Sequence, residues 1–313
     1  MMNDMLDLIN DSNNILILTH ENPDGDAIGS AMGCYEYLSS IGKSTDIVIP
    51  DFPPVFNFLP RVDEIITQSN KNYDLAIVVD CSNIERIGQN NKEIEKCKKI
   101  MVIDHHLSNT MYGNINYVEE KTASCAQIIY YLFKQWKIDI NMNMGLYLMT
   151  GSITDTCGFR NGNVDKNTFL MAADLADIGV NIHNIYYLTL LKKNQAQYQL
   201  MRMALDRLEI LADGKIAFSY VSKEDMENVG AVKGDHEGLV EFGRNIDGVE
   251  VSIFMREDNG YNVSLRSSGR INVENIAHRF GGGGHKMAAG VKIKKDFKET
   301  KKMLIDETIK ELS

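Results

Sequence analysis

Three short apolar runs early in the chain each end in a side chain that can hold a metal ion. ILIL at 15–18 leads through Thr19 to His20, LAIVV at 75–79 leads to Asp80, and IMVI at 100–103 leads to Asp104, with His105 and His106 directly after. Runs of this length, rich in branched apolar residues and bounded by polar turns, read as buried strands. Helical spacing between them, first at 27–41, gives the alternation of βαβ units and a parallel sheet. In such a sheet the carboxyl ends of the strands share one edge, which is where ligands bind. Strand-end or capping roles explain one such residue easily and three together poorly.

The turn after the first run adds Asp24 and Asp26, on either side of Gly25, so a sharp bend can aim both carboxylates inward. A polar loop with a helix cap at Asp26 is the plainer reading of that turn alone. Asp155 lies in GSITDTCGF, an acid in an otherwise apolar helix, and a buried acid needs a partner. Oxygen and imidazole donors without thiolate favour manganese or magnesium, with cobalt and zinc left open. The donors exceed what one ion needs, so two ions sharing one carboxylate are expected. Such a pair activates water and stabilises the attacking and leaving oxygens of a displacement at phosphorus. The expected chemistry is hydrolysis of a phosphate ester.

At 313 residues with 44% hydrophobic content, two domains with real cores are expected. The reading is α/β: a parallel-sheet domain over 1–191 with helices on both faces, a linker helix within 192–212, and a smaller α+β domain over 213–313. In the first domain, 111–120 reads as irregular, 123–136 and 142–156 as helices, and 166–191 as two short helices. In the second, 215–221 reads as a strand and 248–256 with 260–265 as a hairpin. A helix at 272–280, a strand at 291–293 and a tail helix at 297–312 follow. Five scattered cysteines with no CxxC pair, no membrane-length apolar run and no leader pattern fit a reduced, cytoplasmic chain. A net charge of −10 argues against gripping long duplex nucleic acid.

The second domain carries SLRSSG at 264–269 and RFGGGGHKMAAG at 279–290. Glycines let a backbone approach an anion and expose N–H groups to it. Arg266, Ser267, Gly282, Gly283, Gly284 and His285 are therefore expected to bind phosphate, across a cleft from the metals, whereas a flexible turn with a solvated arginine is the plainer alternative. His183, His236 and His278 lack ligand spacing and read as structural or solvated. Trp136, Tyr130, Tyr131 and Phe133 read as core. Arg86, Asn109 and Arg160 lie close enough to the motifs to reach substrate.

THENPDGDAIGS, VVDCS, VIDHH and GSITDTCGFR resemble, in order and spacing, the four motifs of the DHH phosphoesterases, and the two later strings resemble the C-terminal domain of the subfamily that includes RecJ. The resemblance runs from residue 15 to about 293. It implies that His20 and Asp24 hold one ion, that Asp26, His105 and Asp155 hold the other, and that Asp80 bridges them. It further implies that Asp104 orients a motif histidine and that His106 meets the phosphate. Manganese is the cofactor it implies. The substrates it implies are short RNA, linear dinucleotides such as pApA, and 3′-phosphoadenosine 5′-phosphate, with no membrane partner. Whether the chain pairs with a second copy is open. A cyclic-dinucleotide phosphodiesterase, a pyrophosphatase and a catalytically dead nucleotide sensor are the alternatives. The chain departs from the family pattern at Cys157, where Gly is common, and at Cys125 and Gln127, where Thr and Glu are frequent.

Overall fold

The structure is a computed structural model that describes residues 1–232 and 234–312. It forms two compact units, one from Met1 to Lys192 and one from Lys193 onward.

The first unit runs α1 (Met2–Asp11), β1 (Asn14–Leu18), α2 (Gly25–Ser40), β2 (Ser44–Ile47), β3 (Tyr73–Val79), α3 (Asn91–Ile94), β4 (Cys97–Asp104), β5 (Ile115–Val118), α4 (Cys125–Gln135), α5 (Met142–Asp155), α6 (Lys166–Asp177) and α7 (Ile182–Tyr186). Its sheet has the order β2-β1-β3-β4-β5, parallel throughout. β5 lies in the stretch read as irregular. It is four half-buried residues at a sheet edge, too short and too weakly apolar for periodicity to expose.

Alternation along β1 separates two cores. Ile15 and Ile17 join residues of α2, α4 and α5, while Leu16 and Leu18 join Val78, Ile87 and Ile94 on the other face. Burial of both faces is why these strands read as continuous apolar runs. The second face carries lighter cover, α3 and the 3-10 segment Ile84–Asn90.

Small residues let the helices close on one another. A Cβ on Gly29 of α2 would lie 2.3 Å from the carbonyl oxygen of Tyr147 and 2.8 Å from the amide of Gly151, both on α5. A Cβ on Gly151 would lie 2.7 Å from that of Ala126 on α4 and 2.8 Å from Asp26 Oδ1 on α2. Three helices thus converge on Asp26.

The second unit runs α8 (Gln195–Asp206), β6 (Glu209–Leu211), β7 (Ile216–Val221), α9 (Lys223–Asn228), α10 (Leu239–Arg244), β8 (Val251–Glu257), β9 (Tyr261–Ser267), α11 (Val273–Arg279), β10 (Gly283–His285), β11 (Ala288–Ile293) and α12 (Phe297–Leu312). Its sheet, β10-β11-β9-β8-β7-β6, is antiparallel except between β7 and β8. One face packs Phe218, Ile253, Leu265 and Ile293 with Ile276 of α11 and Leu304 of α12. The other packs Val221 and Phe254 with Leu200 and Ala204 of α8 and Leu239 and Val240 of α10. The segment read as a linker helix is therefore part of this unit's core, and it stops at Asp206 so that β6 can pair with β7. Asn194 starts it with a reciprocal capping box to Gln197.

Gly29→Ala tests the helix contact. Alanine gains about 1 kcal/mol of helix propensity, but overpacking against backbone that cannot rotate away costs about 1–3 kcal/mol. A net loss in urea unfolding is expected, and equal or greater stability would refute the close approach.

Candidate metal centre

β1 delivers His20 to the carboxyl edge of the sheet. Its Nδ1–H donates to the Glu21 carbonyl at 2.8 Å, which leaves Nε2 as the free donor, 3.8 Å from Asp80 Oδ2. Asp24, rather than Asp26, caps α2: its Oδ1 accepts from the amides of Asp26 and Ala27 at 3.0 and 3.1 Å. Asp26 is 1% exposed and accepts from the first amides of α4, Cys125 at 2.6 Å and Ala126 at 2.9 Å. A helix N-terminus favours an anion, yet burial still pushes this carboxyl up to about 6.

Asp80 follows β3 directly. Its backbone is left-handed, φ 54°, a conformation that re-aims the side chain at the strand's end. It is 2% exposed, and its Oδ1 is buried without a hydrogen-bond partner. Burial first, and then the charges of Asp26, Asp24 and Asp155, raise its pKa well above the usual carboxylate range.

Asp104 and the two histidines behave differently from one another. Asp104 is fully buried, but its Oδ1 accepts from the His105 amide at 2.8 Å and from His106 Nδ1 at 2.7 Å, and its Oδ2 accepts from Asn109 at 2.6 Å. Burial opposes ionisation there, and these donors still hold its pKa below the ordinary value. Asp104 is thus an already satisfied anion that orients His106. His105 Nδ1 donates to the Thr122 carbonyl at 3.2 Å, so Nε2 faces Asp80, Asp155 and Asp26 at 3.5, 3.8 and 3.9 Å. Asp155 ends α5, and burial pushes it up to about 7.

Three groups of donor atoms gather within 4.8 Å of one another: His20 with Asp24 and Asp80; Asp26 with His105 and Asp155; Asp80 with His105 and His106. Among the described residues no Lys or Arg lies within ion-pair distance of any of these acids. Crowded carboxylates without a cationic side chain, one with an orphaned buried oxygen, fit divalent cations.

Signals for several supporting groups were weak. The carbonyls of Glu21 and Thr122 and the amides of Cys125 and Ala126 are backbone atoms, which residue identity does not reveal. Asn109, read as near enough to reach substrate, instead holds Asp104 and the Cys81 carbonyl. Cys157 occupies the C′ position of a Schellman motif: its amide donates to Thr154, Gly158 donates to Ile153, and its φ is 51°. Glycine suits that position, and cysteine there costs about 1 kcal/mol.

In the second unit, Arg266, Ala288 and His285 stand opposite one another across β9, β11 and β10, so the side chains of Arg266 and His285 share a sheet face. Arg266 Nε pairs with Glu241 at 2.8 Å. Ser267 is fully buried on the opposite face, where its Oγ accepts from the Gly269 amide. The glycine run is also partly committed. Gly281 and Gly282 donate to the carbonyls of His278 and Ala277, another Schellman cap, and a Cβ on Gly282 would lie 2.3 Å from the Gly290 carbonyl. The expectation that the run's N–H groups cradle an anion is corrected for Gly282, whose N–H closes α11. Gly283 and Gly284 form β10.

Fold and site together define a metal-dependent phosphoesterase. The chain belongs to the DHH family: the DHH family, N-terminal domain, matches residues 14–152, and the DHHA1 domain matches residues 213–312. It is 31% identical over 281 residues to the bifunctional oligoribonuclease and PAP phosphatase NrnA of Thermus thermophilus, covering 90% of this chain and 84% of that one. It is 28% identical to the Bacillus subtilis protein of the same name, covering 89% of each. The crystal structure of an exopolyphosphatase-related protein from Bacteroides fragilis superposes with a TM-score of 0.94 at 25% identity, over 99% of this chain and 95% of that one. Among the described residues no helix is long and apolar enough to cross a membrane.

The raised carboxyls predict a pH signature. Their folded values, about 6 for Asp26 and about 7 for Asp155, lie above the unfolded value of 3.8. Stability from these groups is thus complete below about pH 4 and is lost as pH rises through about 6 and 7. Chelated protein should lose Tm across that window. Added manganese should raise Tm, by the equivalent of about 3 kcal/mol at a hundredfold excess over Kd, and more at about pH 8 than at about pH 5. A metal-induced shift independent of pH, or none, would contradict this reading.

Proposed function

We propose that this chain hydrolyses short oligoribonucleotides and linear dinucleotides such as pApA to mononucleotides, and removes the 3′-phosphate of 3′-phosphoadenosine 5′-phosphate, using two divalent ions, in the first instance manganese. The observation that carries the reading is the arrangement of the donors. His20 with Asp24, and Asp26 with His105 and Asp155, form separate groups, and Asp80 stands within reach of both histidines. His20 and Asp24 are assigned to one ion and Asp26, His105 and Asp155 to the other, with Asp80 shared. Divalent ions held by these residues would supply Lewis acidity and would lower the pKa of water. The names of the Thermus and Bacillus relatives support the substrate class.

The chain's own residues do the remaining work. Asp104 accepts from His106 Nδ1 and so turns Nε2 outward, where the doubly protonated ring can donate to a phosphate oxygen or to the leaving oxygen. Asn109 locks Asp104 in place. Arg266 and His285 supply cationic and donor groups to the substrate's phosphate. Arg266 suits this because its guanidinium keeps donors beyond the one paired with Glu241.

The test offers manganese-loaded protein pApA, 3′-phosphoadenosine 5′-phosphate, cyclic di-AMP and RNAs of graded length at fixed salt. Single-turnover rates should be highest for the first two and should fall as RNA length grows, because the acidic chain offers long strands little attraction. Preferred cleavage of cyclic di-AMP would establish the cyclic-dinucleotide reading instead. Faster cleavage of long strands with steep salt dependence would establish an extended nucleic-acid groove.

Arg266→Ala separates recognition from chemistry. It should raise KM for pApA about tenfold, the loss of one charge-assisted hydrogen bond of about 1.5 kcal/mol. Hydrolysis of bis-p-nitrophenyl phosphate should suffer less. Equal losses on both substrates would remove Arg266 from recognition.

A further inference from the structure

A depression of about 250 Å³ in the first unit is bounded by Tyr117 on β5, by Glu119, Lys121 and Thr122 in the segment that follows, by Gln127, Ile128 and Tyr131 on α4, and by Asp165 and Asn167 at the start of α6. None of these residues belongs to the metal-binding groups.

Three observations point to a ligand. First, Gln127 is 3% exposed and lines the depression, yet only one end of its amide is bonded, to Thr168 Oγ1 at 2.9 Å. Whichever way that amide is turned, its second polar atom is bonded to no other described residue and is left to solvent or to a ligand. Second, the Tyr131 hydroxyl is already engaged with the Asn167 carbonyl at 3.0 Å, and the Tyr117 hydroxyl lies near the Glu119 carboxylate. What they offer a ligand is ring surface. Third, the rim holds two carboxylates, Glu119 and Asp165, against one Lys121, so it repels a phosphate rather than drawing one in. Aromatic surface, an apolar floor at Ile128 and a free amide able to pair with adjacent ring atoms suit a neutral planar heterocycle.

The depression is also tied to the metal centre. Thr122, part of its wall, accepts from His105 Nδ1, so one imidazole ring and one 3.2 Å hydrogen bond separate that wall from His105 Nε2. The Glu119 amide donates to the Asp104 carbonyl at 3.0 Å.

We propose that this depression holds a nucleobase. The proposal rests on the nucleotide-hydrolase reading above and adds to it a base site on the metal-bearing unit. The base could come from two sources, a residue of the substrate itself or a free nucleotide acting on the segment that orients His105.

The experiment titrates the full chain with adenosine in excess chelator, by calorimetry, with ribose 5-phosphate as the baseless control. Adenosine should bind saturably and ribose 5-phosphate should not. Tyr117→Leu should weaken adenosine binding about tenfold, the scale of one base–aromatic stack. Gln127→Glu, nearly isosteric and so a safeguard against misfolding, should weaken it as well. Absence of adenosine binding, or unchanged affinity in both variants, overturns the proposal. With metal restored, competitive inhibition of pApA hydrolysis by adenosine assigns the site to the substrate's own base. Adenosine binding at saturating pApA with altered kcat assigns it to a free nucleotide. Because the binding readout needs no hydrolysis, a protein that binds adenosine but leaves pApA intact refutes the function reading and not this one.

Discussion

Acidic side chains are collected at one end of a parallel sheet, and among the described residues no Lys or Arg pairs with them. Asp26, Asp80 and Asp155 are largely buried and have their protons held above the ordinary carboxylate range. Isolated ionised carboxylates in such a place cost several kcal/mol each. Asp104, the most buried of the set, is the exception, because three donors satisfy it. Hydrogen bonding, not burial, is thus what separates Asp104 from Asp80, whose Oδ1 is orphaned.

Holding such a cluster together requires backbone to come close to backbone. Asp26 is gripped by the first amides of α4 while α5 passes against α2 at Gly29 and Gly151. Side chains larger than hydrogen at those contacts would push apart the elements that carry Asp26 and Asp155. The small residues along α2 therefore serve the metal centre as much as the core. The same economy shows in the imidazoles, each fixed by one main-chain or carboxylate acceptor so that the other nitrogen is free.

What was legible in the chain follows from these forces. Strand ends such as Asp80 and Asp104 could be read because apolar runs buried on both faces stop abruptly, and a single acid at the stop stands out. His105 and His106 could be read from their place directly after Asp104, and Asp155 from being an acid in an otherwise apolar segment and from the motif resemblance. Less legible were elements whose stability comes from their neighbours. β5 and β6 are short edge strands defined by pairing, and the short α10 is defined by packing on β8. Main-chain groups could not be read at all, although they hold His20, His105 and Asp26.

Glycine shows the limit of reading residue types most clearly. The run at 281–284 looks like an anion cradle, but its first two members close α11, Gly281 in the left-handed conformation, and are bonded back to His278 and Ala277. The chain forms the same cap after α5 with Cys157 in the left-handed position, so the cap does not depend on glycine. What does demand glycine is the contact beyond the cap, where a Cβ at Gly282 would meet the Gly290 carbonyl and one at Gly284 the Ala288 carbonyl. The run is therefore needed to lay β10 tightly against β11. That pairing sets His285 opposite Ala288, and Ala288 opposite Arg266, and so brings an imidazole and a guanidinium to one face. Glycine contributes to the proposed recognition surface by fixing the register of the side chains that form it.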